Sequence, residues 1–128
     1  SNNQLCGDIP LELGNITNLS SKLILSLNIK NLESLDLSNN QLCGNIPLEI
    51  GNIKYLSYLN LSNNQLCGNI PSELGNITNL KSLNLSNNQL CGNIPSKELG
   101  NIKNLESLNL SNNQLCGNIP SELGNIKN

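Results

Sequence analysis

Five cysteines stand at positions 6, 43, 67, 91 and 116, spaced 37, 24, 24 and 25 residues apart. Thiols can ligate metals, exchange disulfides or simply pack. A metal site needs converging ligands, commonly closely spaced Cys or His. Here no two cysteines are nearer than 24 residues, and histidine is absent. The odd count leaves at least one thiol that cannot pair within the chain. Regular spacing places Cys43, Cys67, Cys91 and Cys116 in one column, with rungs about 4.7–4.9 Å apart. Bridges between adjacent rungs fall within the usual Cα range, but parallel Cβ vectors disfavour them. The expectation is a column of small packed thiols, mostly unpaired.

Other reactive groups are as evenly spread. Glu12, Glu49, Glu73, Glu98 and Glu122 recur with the same period and read as a solvated row, not an acid–base dyad. With no histidine, no nucleophile–base pair and no phosphate loop, the chain is not expected to be an enzyme. No metal or cofactor is expected. Net charge is −2 and arginine is absent, so there is no electrostatic footprint for nucleic acid. The longest apolar run, LILSL at 23–27, is too short to span a membrane, and no membrane contact is expected. Asn-x-Ser/Thr sequons stand at Asn15, Asn18, Asn60, Asn76, Asn84 and Asn109. Asn60, Asn84 and Asn109 would lie on successive rungs about 5 Å apart, too close for three glycans.

The elements behind this spacing follow from one repeated decamer. SNNQLCGNIP stands at 38–47, 62–71, 86–95 and 111–120, and SNNQLCGDIP at 1–10. A period in the twenties signals a solenoid. One unit, Leu56 to Asn79, reads LSYLNLSNNQLCGNIPSELGNITN. Leu56, Leu59 and Leu61 end in the alternation of a short strand with one buried face. Asn64 follows at a turn, where its carboxamide can bond backbone groups left unpaired. The equivalent Asn40, Asn88 and Asn113 complete a structural ladder. Gly68 permits positive φ, and Pro71 holds Ile70 extended. Pro71 to Leu74 can start one helical turn, and Gly75 stops it. One coil alone buries too little to offset its ordering entropy, so coils must stack. The decamer recurs because every coil presents the same shape to the next.

LxxLxLSNNQLCGNIPSELGNI resembles the plant-type leucine-rich repeat, LxxLxLxxNxLxGxIPxxLGxLxx. The resemblance covers nearly all of residues 1–128 except about 20–31. It implies an α/β-type solenoid, a right-handed superhelix with a parallel sheet on the concave side. A second short strand is implied near GxIP, and 3-10 turns on the convex side. It further implies a recognition domain, extracellular or at the cell surface, with a cytoplasmic location as the alternative.

Two places break the pattern. From Leu19 to Leu32 the chain advances 13 residues where the period calls for 24, so a shortened or displaced coil is expected within 19–32. Lys97 is a single insertion in PSKELG and should bulge on the convex side without breaking the stack. The chain begins after a strand and stops before the next. Leu5 and Ile9, with Leu115, Ile119, Leu123 and Ile126, are therefore expected to be incompletely covered. This points to a longer solenoid or to end-to-end stacking of chains.

The outward strand positions are Ser34, Asp36 and Ser38; Tyr58, Asn60 and Ser62; Ser82, Asn84 and Ser86; and Ser107, Asn109 and Ser111. Asp36, Tyr58, Asn60, Ser82, Asn84, Ser107 and Asn109 are the candidate partner-binding residues for a protein or glycan ligand. Hot spots favour Tyr, and Tyr58, with Tyr55 nearby, is the sole example in this row. Two other readings compete with recognition. The repeat could be an architectural element of a larger assembly, or its array of small polar groups could match an ice or other crystal lattice.

Overall fold

The computed structural model describes residues 5–6, 31–119 and 121–126. Each LxxLxL segment makes a three-residue strand: β2 (Ser34–Asp36), β4 (Tyr58–Asn60), β6 (Ser82–Asn84) and β8 (Ser107–Asn109). These pair in parallel with no slip, so Leu35, Leu59, Leu83 and Leu108 form one row. Leu59, Leu61, Leu83 and Leu85 are fully buried, and each such side chain contributes about 1.5–3 kcal/mol.

The GxIP region supplies a second parallel sheet of β3 (Cys43–Asn45), β5 (Gln65–Asn69), β7 (Gln89–Asn93) and β9 (Gln114–Cys116). Here successive strands slip by two positions, so Asn45 faces Cys67, Asn69 faces Cys91 and Asn93 faces Cys116. Gly68 has φ +77 and is placed where a Cβ would collide with the Asn45 carboxamide.

The convex side carries 3-10 segments at Leu48–Asn52, Ser72–Asn76 and Ser121–Asn125. Each follows a proline, and in the middle one the Leu74 N–H reaches the Pro71 carbonyl at 3.2 Å. Gly75 ends that turn against the next coil, where a Cβ would lie 2.7 Å from the Glu98 carbonyl oxygen. Lys97 does not bulge out of its turn. The extra residue converts the turn into an α-helical one, Ser96–Gly100, in which the Leu99 N–H reaches the Pro95 carbonyl at 3.0 Å. A four-residue loop replaces a three-residue one, and both sheets continue across it.

The first strand departs from the implied parallel order. β1 (Leu5–Cys6) pairs antiparallel with β2, Leu5 opposite Leu35 and Cys6 opposite Ser34. It therefore joins the concave sheet, although its decamer equivalents lie in the second sheet. An exposed strand edge can be satisfied from either direction, and β2 offers such an edge. The shortened coil expected at 19–32 lies, except for its last two residues, outside the described residues, as do the environments of Leu5 and Ile9. At the other end Leu115, Leu123 and Ile126 are partly buried. Ile119 is 86% exposed, where its equivalents Ile46 and Ile70 are 2% and 3% exposed. Among the described residues, no helix is long and apolar enough to cross a membrane.

Candidate recognition surface

Two rows of amide and carboxylate side chains frame the concave sheet. The inner row follows each strand by four residues. Asn88 donates from Nδ2 to the carbonyls of Leu61 (3.0 Å) and Leu85 (3.1 Å), and its Oδ1 accepts the Leu66 N–H at 3.0 Å. Asn64 spans Leu37 and Leu61 and accepts from Leu42; Asn113 spans Leu85 and Leu110 and accepts from Leu90. Asn40 donates to the carbonyls of Leu37 and Ser38. Asn64, Asn88 and Asn113 thus each tie their own turn to the coil before it. No buried side-chain nitrogen or oxygen among the described residues lacks a hydrogen-bond partner.

The outer row consists of Asp36, Asn60, Asn84 and Asn109, at the ends of the strands. Each accepts a backbone N–H two residues on: Ser38 at 2.9 Å, Ser62 at 3.1 Å, Ser86 at 3.0 Å and Ser111 at 3.1 Å. These bonds form local turns that compete with strand continuation and end it. They turn the following serine inward. Ser38, Ser62 and Ser86, expected to face outward, are therefore buried at 5%, 4% and 4% exposure. Ser111 on the last rung is exposed.

Ser82 and Asn84 are half-buried, and Ser107 and Asn109 are exposed. Asp36, Tyr58 and Asn60 come together as one group. Asn60 Nδ2 lies 3.3 Å from Asp36 Oδ2 and 3.3 Å from Tyr58 Oη. The phenol oxygen accepts from Asn60, and its own proton remains available as a donor. Corresponding positions on later coils hold only Ser and Asn, so chemical distinctiveness is concentrated on the β2–β4 end. Tyr55 is 59% exposed but stands apart, at the turn that leads into β4.

The cysteines do not form the expected column of packed thiols. The two-position slip sets Cys67, Cys91 and Cys116 each beside an asparagine of the preceding coil. Cys67 Sγ lies 3.9 Å from Asn45 Oδ1, and Cys116 Sγ lies 3.5 Å from Asn93 Oδ1. Two residues of slip and one strand spacing put neighbouring Cys Cα atoms about 8 Å apart, beyond disulfide reach. Cys67, Cys91 and Cys116 are free thiols, and they are half-buried or exposed at the surface of the second sheet. Among the described residues no cluster of three potential ligands could hold a metal ion.

One role escaped the sequence. The first asparagine of each NN pair takes a left-handed conformation, with φ of 57 at Asn39 and Asn63 and 56 at Asn87 and Asn112. Asn39, Asn63 and Asn87 also donate to the hydroxyls of the buried serines before them. Asn is the non-glycine residue that visits this region most readily, and the invariant doublet was the available signal.

The Leucine Rich Repeat family model matches four consecutive units, residues 31–53, 55–77, 79–101 and 104–126. No match was found among curated proteins. Among solved structures, the Arabidopsis receptor kinase HAESA, in complex with the peptide hormone IDA and the co-receptor SERK1, is 42% identical with a TM-score of 0.79. The match covers 85% of this chain and 18% of that one. The ectodomain of the receptor kinase SOBIR1 from Arabidopsis thaliana is 37% identical with a TM-score of 0.73, covering 84% of this chain and 56% of that one. A plant ice-binding protein is 35% identical with a TM-score of 0.77, covering 88% of this chain and 36% of that one. The chain thus spans between about a fifth and just over half of these structures, and with four tandem matches it belongs to the leucine-rich-repeat family.

Proposed function

We propose that the chain is a non-enzymatic, extracellular recognition module that binds a protein or peptide through the concave sheet, anchored at Asp36, Tyr58 and Asn60. The observation behind this is that hydrogen-bonded trio. Among the described residues it is the one point on a near-uniform face that offers an aromatic ring, a carboxylate and a phenol proton together. Ser82, Asn84, Ser107 and Asn109 extend the contact as small polar groups. Support also comes from HAESA, which is solved with a peptide hormone and a co-receptor. The SOBIR1 match is to an ectodomain, which favours the extracellular placement over the cytoplasmic alternative.

The test uses reversion to the repeat consensus, which should keep the fold. Tyr58→Ser with Asp36→Asn makes the first rungs identical to the later ones at those positions. Peptides selected from a displayed random library on the native chain should lose at least tenfold in affinity for the double variant. Equal binding to both would overturn the reading. A second reading, lattice binding, is favoured by likeness to the plant ice-binding protein and by the unslipped rows of Ser and Asn on β6 and β8. It predicts that the native chain slows ice recrystallisation and that Ser82→Lys with Ser107→Lys abolishes the effect.

A further inference from the structure

We propose that Asn76 is the N-glycan acceptor of the described coils, and that the glycan covers the convex flank while the concave sheet stays bare. Four described residues carry the Asn-x-Ser/Thr signal: Asn60, Asn76, Asn84 and Asn109. The fold separates them into two kinds. Asn60, Asn84 and Asn109 stand side by side on adjacent strands. Each is already bonded through Oδ1 to the serine of its own sequon, and Asn60 Nδ2 also contacts Asp36 and Tyr58. Ser62 and Ser86, the hydroxyl residues of the first two, are buried.

Asn76 differs in its place and its bonding. It ends the 3-10 segment Ser72–Asn76 and is exposed, as is Thr78. Ile77 between them is fully buried, which fixes the tripeptide and turns both polar side chains outward. The Asn76 carboxamide makes no hydrogen bond among the described residues. The Thr78 carbonyl accepts from Asn104 Nδ2 at 3.0 Å, which holds the backbone in place. The same flank position on the neighbouring coils holds Asn52 and Asn101, but Lys54 and Lys103 stand where the hydroxyl residue is needed. A glycan at Asn76 therefore has no described neighbour to crowd it. The sequence GNIT recurs at 14–17, outside the described residues.

The transfer is from a lipid-linked oligosaccharide pyrophosphate. The Asn76 Nδ2 bonds to the anomeric carbon of the first N-acetylglucosamine. The bond from that carbon to the pyrophosphate oxygen breaks, the lipid pyrophosphate leaves with the electron pair, and the amide nitrogen gives up one proton. Transfer meets the nascent chain before the coils stack. Selection between sites then falls on folding: sugars on Asn60 and Asn84 would stand side by side on rungs about 5 Å apart, whereas one on Asn76 projects into solvent. The proposal builds on the extracellular reading, but the experiment supplies its own secretion signal, so it tests the site independently of partner binding.

The chain is secreted from insect cells and occupancy is read peptide by peptide, from the mass added when a glycosidase releases each sugar in heavy-oxygen water. Asn76 should be occupied in most secreted molecules, and Asn60 and Asn84 in fewer than a tenth as many. Thr78→Ala should remove the Asn76 glycan. Lys103→Thr should add one at Asn101, since it completes a sequon at the equivalent flank position. An unoccupied Asn76, concave occupancy equal to that at Asn76, or a Lys103→Thr chain with no added glycan would each overturn the proposal.

Discussion

Replacing Asn88 with alanine isolates the value of one rung of the inner asparagine row. The side chain is 8% exposed and bonds backbone of two coils, its own and the one before it. Its loss does not affect every partner equally. The Leu61 carbonyl keeps a bond from Asn64, and the Leu85 carbonyl keeps one from Asn113. The Leu66 N–H loses Asn88 Oδ1 and becomes a buried donor without an acceptor. An orphaned donor costs about 1–3 kcal/mol and each lost bond about 0.5–1.5 kcal/mol net, so a total of about 3 kcal/mol is expected. That corresponds to exchange of the Leu66 amide accelerating by roughly 100-fold. Asn113→Ala should cost about 1 kcal/mol less, because Asn113 is only half-buried and water can replace some of its bonds. Hydrogen exchange resolved by residue, with urea unfolding as the global measure, decides the matter. A loss below about 0.5 kcal/mol with Leu66 exchange unchanged would refute the assignment of that bond as stabilising.

Three further outcomes are expected. Thiol titration of the denatured, unreduced chain should find Cys67, Cys91 and Cys116 free, and mild oxidation should link chains to one another before it links neighbouring coils; an intrachain Cys67–Cys91 bridge would contradict the two-position slip. Gly75→Ala should destabilise by about 1–3 kcal/mol in urea unfolding, because its Cβ meets backbone at Glu98, whereas Gly124→Ala, with nothing within 4 Å, should change stability by under 0.5 kcal/mol. Deleting Lys97 should restore a 3-10 turn whose Leu99 N–H bonds three residues back, with a stability change under about 1 kcal/mol; loss of both flanking strand pairings in the amide spectrum would count against this.

The periodic part of the fold was legible because each recurring residue answers one local demand. Leu59 and Leu61 mark a strand with a buried face, Gly68 a positive φ, and Pro71 the entry to a turn. These are nearest-neighbour effects, and the repeat states them four times over. Register was not legible. The second sheet slips by two positions per coil through the shape of the whole turn, and nothing in SNNQLCGNIP encodes that slip. The cysteine column failed for this reason. The outward serines failed for another: Asp36, Asn60 and Asn84 bend the chain with their own side chains, so simple alternation ends one residue too soon. On the recognition surface, Tyr58 was visible as an oddity among serines. Its bond to Asn60, and through it to Asp36, needed the coordinates.

The inner asparagine row also has a direction. Asn64, Asn88 and Asn113 each close an amide of the coil that precedes them, at Leu42, Leu66 and Leu90. No coil in this series supplies the acceptor for its own orphan donor; its successor does. On a ribosome the successor is the part not yet made. At roughly 5–20 residues per second, a coil of this length waits about 1–5 s for its closing group. Local collapse takes microseconds, so the newest coil is packed long before it is latched. Closure then travels down the chain at the pace of translation, one coil behind it, and a slow codon within a repeat would prolong the unlatched state of a single identifiable amide.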